Sequence, residues 1–286
     1  MNITKIKIND SENGPKINVL VLGGVHGNEL TPIAALKYLE SKIGEINNDL
    51  IGQVIIANNI NKNGIKKNSR FVENENTSDL NRSFKHNQSI SDYVDTLRKH
   101  IKESHVVIDV HSSPKISEFV LIDIDEYCEC VTDWCHDVPK VYRYSSGDTI
   151  KRYALTNGSF GKGALATTLE LNKLDVFDDA SAIRGADIMI KLINNVKHFY
   201  TSDLVSEDFI IPNELYEQKT HLSGFVDIKK DIHDVVTKGD VIAEILNDDL
   251  TTFAFLRANA SGTIISSPTI GYVNRGDIVF LIQPKN

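Results

Sequence analysis

Val19-Leu20-Val21-Leu22-Gly23-Gly24-Val25-His26-Gly27-Asn28-Glu29 is an apolar run that ends in a glycine-rich turn carrying a histidine and a glutamate. An unbroken run of Val and Leu has no polar face, so it reads as a strand buried on both sides. The glycines let the backbone turn sharply where the strand ends. His26 and Glu29, three positions apart on that turn, can point at one atom. An imidazole nitrogen with a carboxylate oxygen supplies two of the three protein ligands of a His2Glu zinc site, which keeps its fourth position for water.

A third ligand is offered by His105-Val106-Val107-Ile108-Asp109-Val110-His111. This is another apolar strand, and it ends in His111. In open α/β sheets functional side chains collect at the carboxyl ends of strands. Asp109 shares a strand face with His111, where it can orient that ring or a loop; an ordinary strand-end carboxylate explains it equally well. Ala166-Thr167-Thr168-Leu169-Glu170-Leu171 places a carboxylate inside a third strand-like run. Burying a carboxylate is costly, which points to a paired or working group. Beside a metal site, Glu170 is the candidate general base. Arg70-Phe71 and Asp79-Leu80-Asn81-Arg82-Ser83-Phe84 lie in an Asn-rich stretch with little apolar periodicity, which reads as a functional loop. Arg70 and Arg82 can grip a carboxylate by paired hydrogen bonds, with Asn81 adding an amide donor. One arginine can also stabilise an oxyanion.

Further along, strands are expected at Asn18–Gly23, Gln53–Asn58, Ser104–Val110, Phe119–Asp123 and Ala166–Leu171. Helices are expected at Leu30–Ile43, Ser89–Ile101, Thr149–Thr156 and Ala180–Tyr200. Leu36, Leu39 and Ile43 recur at helical spacing, as on a helix packed against a sheet. The alternation predicts an α/β layer with a parallel or mixed sheet.

The residues Gly24-Val25-His26-Gly27-Asn28-Glu29, then Asn61 and Arg70, then Asp79-Leu80-Asn81-Arg82-Ser83-Phe84, His111 and Thr168-Leu169-Glu170 stand in a telling order. Together they resemble the succinylglutamate desuccinylase/aspartoacylase branch of the zinc carboxypeptidase superfamily, over about residues 17 to 200. The resemblance implies a zinc-carboxypeptidase-like mixed sheet flanked by helices. It implies one Zn2+ per chain on His26, Glu29 and His111, and Glu170 as base. It implies Arg70 near the scissile carbonyl, with Asn61, Asn81 and Arg82 in the substrate-binding set. The implied activity is hydrolysis of the amide bond of a small anionic N-acyl amino acid. Lys62 follows Asn61 where members of the branch often carry proline, and Phe160 stands where some carry a further arginine, with Lys162 and Arg152 nearby. The acyl group and the amine therefore stay open. Two alternatives stay open as well: a zinc carboxypeptidase acting on a short peptide or cell-wall stem, and a non-catalytic binding protein that has kept the pocket.

At 286 residues and 41% hydrophobic content, the chain can bury a sizeable core. A formal net charge of −8 disfavours nonspecific nucleic-acid binding, so an anionic substrate must be drawn by local arginines. Neither a signal pattern nor a membrane-length apolar run is found, so a cytoplasmic enzyme is expected, with self-association left open. Cys128, Cys130 and Cys135 are odd in number and clustered, which fits reduced thiols better than a disulfide framework.

After Asp203 short apolar runs alternate with Gly, Asp and Asn, which predicts a small all-β unit. The expected division is 1–202 for the hydrolase layer and 203–286 for a β domain walling the active site. Val236-Thr237-Lys238-Gly239-Asp240-Val241-Ile242 and Asn274-Arg275-Gly276-Asp277-Ile278-Val279 form a weak repeat, each a turn entering a strand. The pattern is also similar to biotinyl and lipoyl carrier domains. No lysine lies between Asp248 and Ser266, where a carrier would present one, so that reading is set aside.

Overall fold

A computed structural model describes residues 1–9, 16–47, 49–72, 79–84, 92–116, 118–122, 134–135, 137–138, 140–143, 149–158, 164–201, 214–267 and 271–285. The chain forms two compact units, Met1–Ser112 with Glu118–Pro212, and Ser113–Ser117 with Asn213–Asn286.

The first unit runs β1 (Asn2–Lys7), β2 (Ile17–Gly23), α1 (Leu30–Ser41), β3 (Ile51–Asn58), α2 (Lys62–Lys67), α3 (Asp92–Lys102) and β4 (Val106–Ser113). After β5 (Lys115–Ile116), which pairs in the second unit, it continues with β6 (Phe119–Ile122), β7 (Val141–Arg143), α4 (Ile150–Asn157), β8 (Leu165–Asn172) and α5 (Asp179–Thr201). Seven strands form one sheet in the order β1-β3-β2-β4-β8-β6-β7. The pairs β2/β3, β2/β4 and β6/β7 are parallel, while β1/β3 and β6/β8 are antiparallel. The sheet is therefore mixed, as expected.

Strand alternation divides the core between the two faces. Val19, Val21, Val54, Ile56, Ile108, Val110, Leu169 and Leu171 pack with Ala35, Leu36 and Leu39 of α1 and with Ala182, Ala186, Met189 and Ile193 of α5. Leu20, Leu22, Ile55, Ala57, Val107 and Ala166 pack on the other face with Val94, Leu97 and Ile101 of α3 and with Ile150, Tyr153 and Ala154 of α4. Each of the Val, Leu, Ile and Met side chains contributes about 1.5–3 kcal/mol on burial, which is why the central strands read as unbroken apolar runs. Among the described residues, no helix is long and apolar enough to cross a membrane.

The second unit holds β9 (Tyr216–Lys219), β10 (Gly224–Ile228), β11 (Val235–Val236), β12 (Val241–Leu246), β13 (Thr252–Arg257), β14 (Gly262–Ser267), β15 (Tyr272–Val273) and β16 (Ile278–Pro284). They build a four-stranded sheet, β13-β12-β10-β15, and a five-stranded sheet, β11-β14-β16-β9 with β5 on β14. Val226, Ile242, Ile245, Leu256, Ile264, Phe280 and Ile282 form its core. The two repeated motifs make matching turns. Gly239 and Gly276 both have φ near +100° (100° and 95°), and Asp240 and Asp277 each accept a hydrogen bond at 2.8 Å, from the amides of Thr237 and Asn274. Glycine takes that backbone conformation without steric cost, and the aspartate pins the turn.

Candidate metal centre

The strand β2 ends at Gly23, and Gly24 (φ +73°) turns the backbone. His26 follows on the turn and Glu29 stands at the N-cap position of α1. The strand β4, which runs parallel to β2, carries Asp109 and His111. Both point to the face that bears Val107, by alternation. His26 and Glu29 are each 2% exposed and His111 is 3% exposed, so polar groups sit where apolar ones would otherwise be.

One ligand atom from each of the three lies within 4.8 Å of the others. His26 Nδ1 is 2.6 Å from Glu29 Oε1, His111 Nδ1 is 3.0 Å from Glu29 Oε2, and the two Nδ1 atoms are 3.2 Å apart. A tetrahedral zinc site with bonds of about 2.05 Å has ligand-to-ligand edges of roughly 3.3 Å. Small side-chain rotations bring the trio to that size, so the residues fit the cation.

The outward nitrogens are held by two further carboxylates. His26 Nε2 faces Asp79 Oδ1 at 3.1 Å, and His111 Nε2 faces Asp109 Oδ2 at 2.9 Å. An imidazole that donates from Nε2 to a carboxylate offers its Nδ1 lone pair inward, the arrangement that metal-binding histidines adopt. Asp109 thus does orient His111. The Ser112 amide donates to Glu29 Oε2 at 3.1 Å and steadies the third ligand.

The electrostatics follow from this packing. Burial works to raise the Glu29 carboxyl, but the charges and hydrogen bonds of His26 and His111 hold it well below the ordinary carboxylate range. Burial likewise works against Asp79, and His26 with Arg70 overrides it in the same direction. For His111, burial disfavours the charged ring, yet Asp109 and Glu29 raise it well above an ordinary imidazole. Glu29 and Asp79 are therefore held ionised, and a carboxylate converging with two imidazoles is a donor set suited to a divalent cation.

The remaining candidates gather unevenly. Arg70 donates from Nε and Nη2 to Asp79 Oδ2 at 3.0 and 2.8 Å, and its Nη1 lies 3.9 Å from Glu29 Oε1. Asn61 is buried and engaged at both ends of its side chain. Its Oδ1 accepts from the Gly64 amide at 2.9 Å and caps α2, while Nδ2 donates to the Arg70 carbonyl at 3.3 Å. Asn81 accepts from the Ile150 amide at 2.9 Å, which sets its orientation and turns Nδ2 toward His111 Nε2 at 3.2 Å. With the Nε2 proton given to Asp109, that ring nitrogen accepts nothing, so the Asn81 amide retains donor hydrogens. Arg82 is exposed on a 3-10 turn, Leu80–Arg82. Glu170 is half-buried on β8. The Leu165 amide donates to the His105 carbonyl at 2.9 Å, which ties the starts of the neighbouring strands β8 and β4 together. Five residues on from that tie stands Glu170, and six residues on stands His111. The two are nearly level, and both take the α3/α4 face.

Asp79 is a site residue that no motif or resemblance assigns a role, although it opens the block Asp79–Phe84. An Asp in a polar stretch can cap a turn by accepting from the backbone amide two residues on, but the sequence does not show its distant partners His26 and Arg70. Tyr142 is buried edge-on against Phe119 at 5.5 Å. Cys135 is a buried thiol whose pKa burial pushes up strongly. Cys128, Cys130, His86, His136, Tyr144, Phe160 and Lys162 lie outside the described residues.

The family model of the succinylglutamate desuccinylase/aspartoacylase catalytic domain matches residues 15–195. No curated protein matches the sequence. Solved structures do match. The product-bound ectoine utilization protein EutE (DoeB) from Ruegeria pomeroyi is 19% identical, with 99% of this chain and 88% of that one covered and a TM-score of 0.74. A succinylglutamate desuccinylase from Silicibacter sp. is 20% identical, with 99% and 88% covered and a TM-score of 0.70. An aspartoacylase family protein from Mesorhizobium loti is 20% identical, with 99% and 89% covered and a TM-score of 0.71. At such identities the likeness is one of fold.

Proposed function

We infer, from the premise that the chain belongs to the succinylglutamate desuccinylase/aspartoacylase family, that it hydrolyses the amide bond of a small N-acyl amino acid with the help of zinc. The observation that carries this reading is the buried convergence of His26, Glu29 and His111. Zinc held by these three would acidify a water molecule and polarise the acyl carbonyl. The protein's own groups do the rest. Glu170 takes a proton from the attacking water and delivers it to the leaving amine. Its level with His111 on one sheet face supports that role. Arg70 donates to the oxyanion that forms as the carbonyl is attacked. Its Nη1, turned toward the ligand cluster, supports this assignment. Asn81 and Arg82 hold a carboxylate of the substrate, the first through its retained amide hydrogens, the second by charge. Asn61 acts through Arg70, whose backbone carbonyl it holds.

The test is metal analysis of the purified chain together with amine release from a panel of N-acyl amino acids, with and without chelator. About one zinc per chain and chelator-sensitive release from one class of acyl amino acid are expected. A chain that takes up no zinc, or holds zinc and releases no amine from any panel member, would defeat the reading. Glu170→Ala should retain zinc and lose turnover by about 10²–10⁴-fold. Near-full activity in that variant would show that the base lies elsewhere.

A further inference from the structure

The Asp79 side chain hydrogen-bonds both to a proposed zinc ligand, His26, and to the arginine assigned to the oxyanion. Its oxygens are divided between them. Oδ1 faces His26 Nε2 at 3.1 Å and accepts from the Asn81 amide at 2.9 Å, while Oδ2 accepts from Arg70 Nε at 3.0 Å and Nη2 at 2.8 Å. We propose that Asp79 is a positioning residue that locks His26 and Arg70 to one another, so that the cation's ligand set and the oxyanion donor move as one piece. The proposal rests on the zinc-hydrolase reading above.

Three features separate this from a solvated ion pair. First, the carboxylate is itself fixed. Asp79 caps the turn Leu80–Arg82 through the Asn81 amide, and its carbonyl accepts from Ser83 Oγ at 2.9 Å. Second, Arg70 is held at both ends. Asn61 donates to its carbonyl and Asp79 grips its guanidinium, which leaves Nη1 as the nitrogen turned toward the cluster, 3.9 Å from Glu29. Third, only a carboxylate meets the geometry. An amide has one acceptor oxygen and cannot serve the His26 side and the Arg70 side together. Its NH2 would face a donor whichever way it lay. Arg70 itself is 37% exposed, so its pair with Asp79 contributes modestly to stability; what fixes the carboxylate is its own 15% exposure and its contact with His26, which is 3% exposed.

The experiment has two readouts, neither of which needs a substrate. Zinc affinity is measured by competition with a chromophoric chelator. Arg70 accessibility is measured on the zinc-loaded chain by phenylglyoxal labelling and peptide mass analysis. Asp79→Ala should weaken zinc by about 10–100-fold and speed labelling of Arg70 several-fold. Asp79→Asn, close in shape, guards against a folding defect. It should speed Arg70 labelling while keeping zinc affinity nearer the wild type, because its single oxygen can still receive the His26 proton. If Asp79→Ala changes only one readout, or neither, the coupling is overturned. Glu29→Gln supplies the separate control: loss of zinc there, with an unchanged Asp79→Ala, would leave the metal site standing and remove the coupling alone. A wild-type chain that binds no zinc would remove both.

Discussion

Glu29 occupies the N-cap of α1, yet its carboxylate makes no cap hydrogen bond. It turns instead to His26, His111 and the Ser112 amide. Giving up a cap costs a helix about 1 kcal/mol, and a local rule broken at a buried site is where function is expected. His26, Glu29 and His111 stand out in the sequence for a related reason: polar groups that end apolar strands and can converge on one atom point to a metal, whereas Asp109 alone reads equally well as an ordinary strand-end carboxylate. Asp79 carries no such signal, and Asn61 stands out only through the family resemblance. An acid or an amide in a polar loop looks like any solvated residue until the chain brings its partners to it. His105 gives a separate prediction at this scale. Its Nδ1 accepts from the Asn18 amide at 3.1 Å, and burial lowers its pKa, so the folded state prefers the neutral ring. The unfolded chain then binds the proton more readily. The contribution is complete above about pH 6.5 and is lost as the pH falls below it toward the lowered folded value. His105→Asn keeps an acceptor oxygen near that position and removes the titration. Denaturant titrations at pH 7 and pH 5 should show a smaller loss of stability in the variant than in the wild type, and equal losses would discard the argument.

Elements were legible in proportion to their burial. The strands β2, β3, β4, β6 and β8 and the helices α1, α3, α4 and α5 appear within a few residues of the expected bounds, because the central strands are continuous apolar runs and the helices present apolar faces. The loop expected around Asp79 contains the short 3-10 turn that Asp79 caps. β1 was missed: it is a polar edge strand with only Ile3 and Ile6 half-buried, so its pattern resembles that of a surface segment. β13 was missed on similar grounds, since four of its six residues are exposed. The repeated turns of the second unit were read correctly, since a Gly-Asp pair before an apolar run has a backbone reason. What the sequence conceals is which glycine supports the metal turn by close approach. A Cβ on Gly27 would meet the Gly64 carbonyl carbon at 2.0 Å and the Ile65 nitrogen at 2.4 Å, and both are backbone atoms that cannot step aside. The His26 turn therefore rests directly on α2. Gly27→Ala should destabilise the fold by about 1–3 kcal/mol and weaken zinc at least tenfold by moving His26. Gly44→Ala is the control, because nothing lies within 4 Å of its added carbon. Chemical denaturation and the chelator competition measure both effects; an alanine at Gly27 that left zinc affinity unchanged would show that the close approach does not position the ligand.

At the scale of the molecule, cohesion comes from separate cores. Two lie on the faces of the seven-stranded sheet, and the third belongs wholly to the β unit. The change of composition after Asp203 announced the second unit, but the excursion of Ser113–Ser117 into it carries no such signal. A two-residue strand such as β5 is specified by its pairing with β14, not by its own residues. All three proposed ligands lie in the first unit. A ligand stabilises only what unfolds with its site, by about 2.7 kcal/mol at one hundred times its dissociation constant. For a unit of about 200 residues, this corresponds to a rise of roughly 5–10 °C in its melting temperature. Calorimetry of the full chain should therefore resolve two transitions. Zinc should raise the one that belongs to the mixed sheet, and chelator should lower it. The β unit should melt at the same temperature in both. Assignment follows from Val226→Ala, which opens a cavity in the β core alone and should lower only the transition that zinc leaves unmoved. A single transition that zinc shifts as a whole would mean that the two cores unfold as one, and the division into separately cohesive units would have to be abandoned.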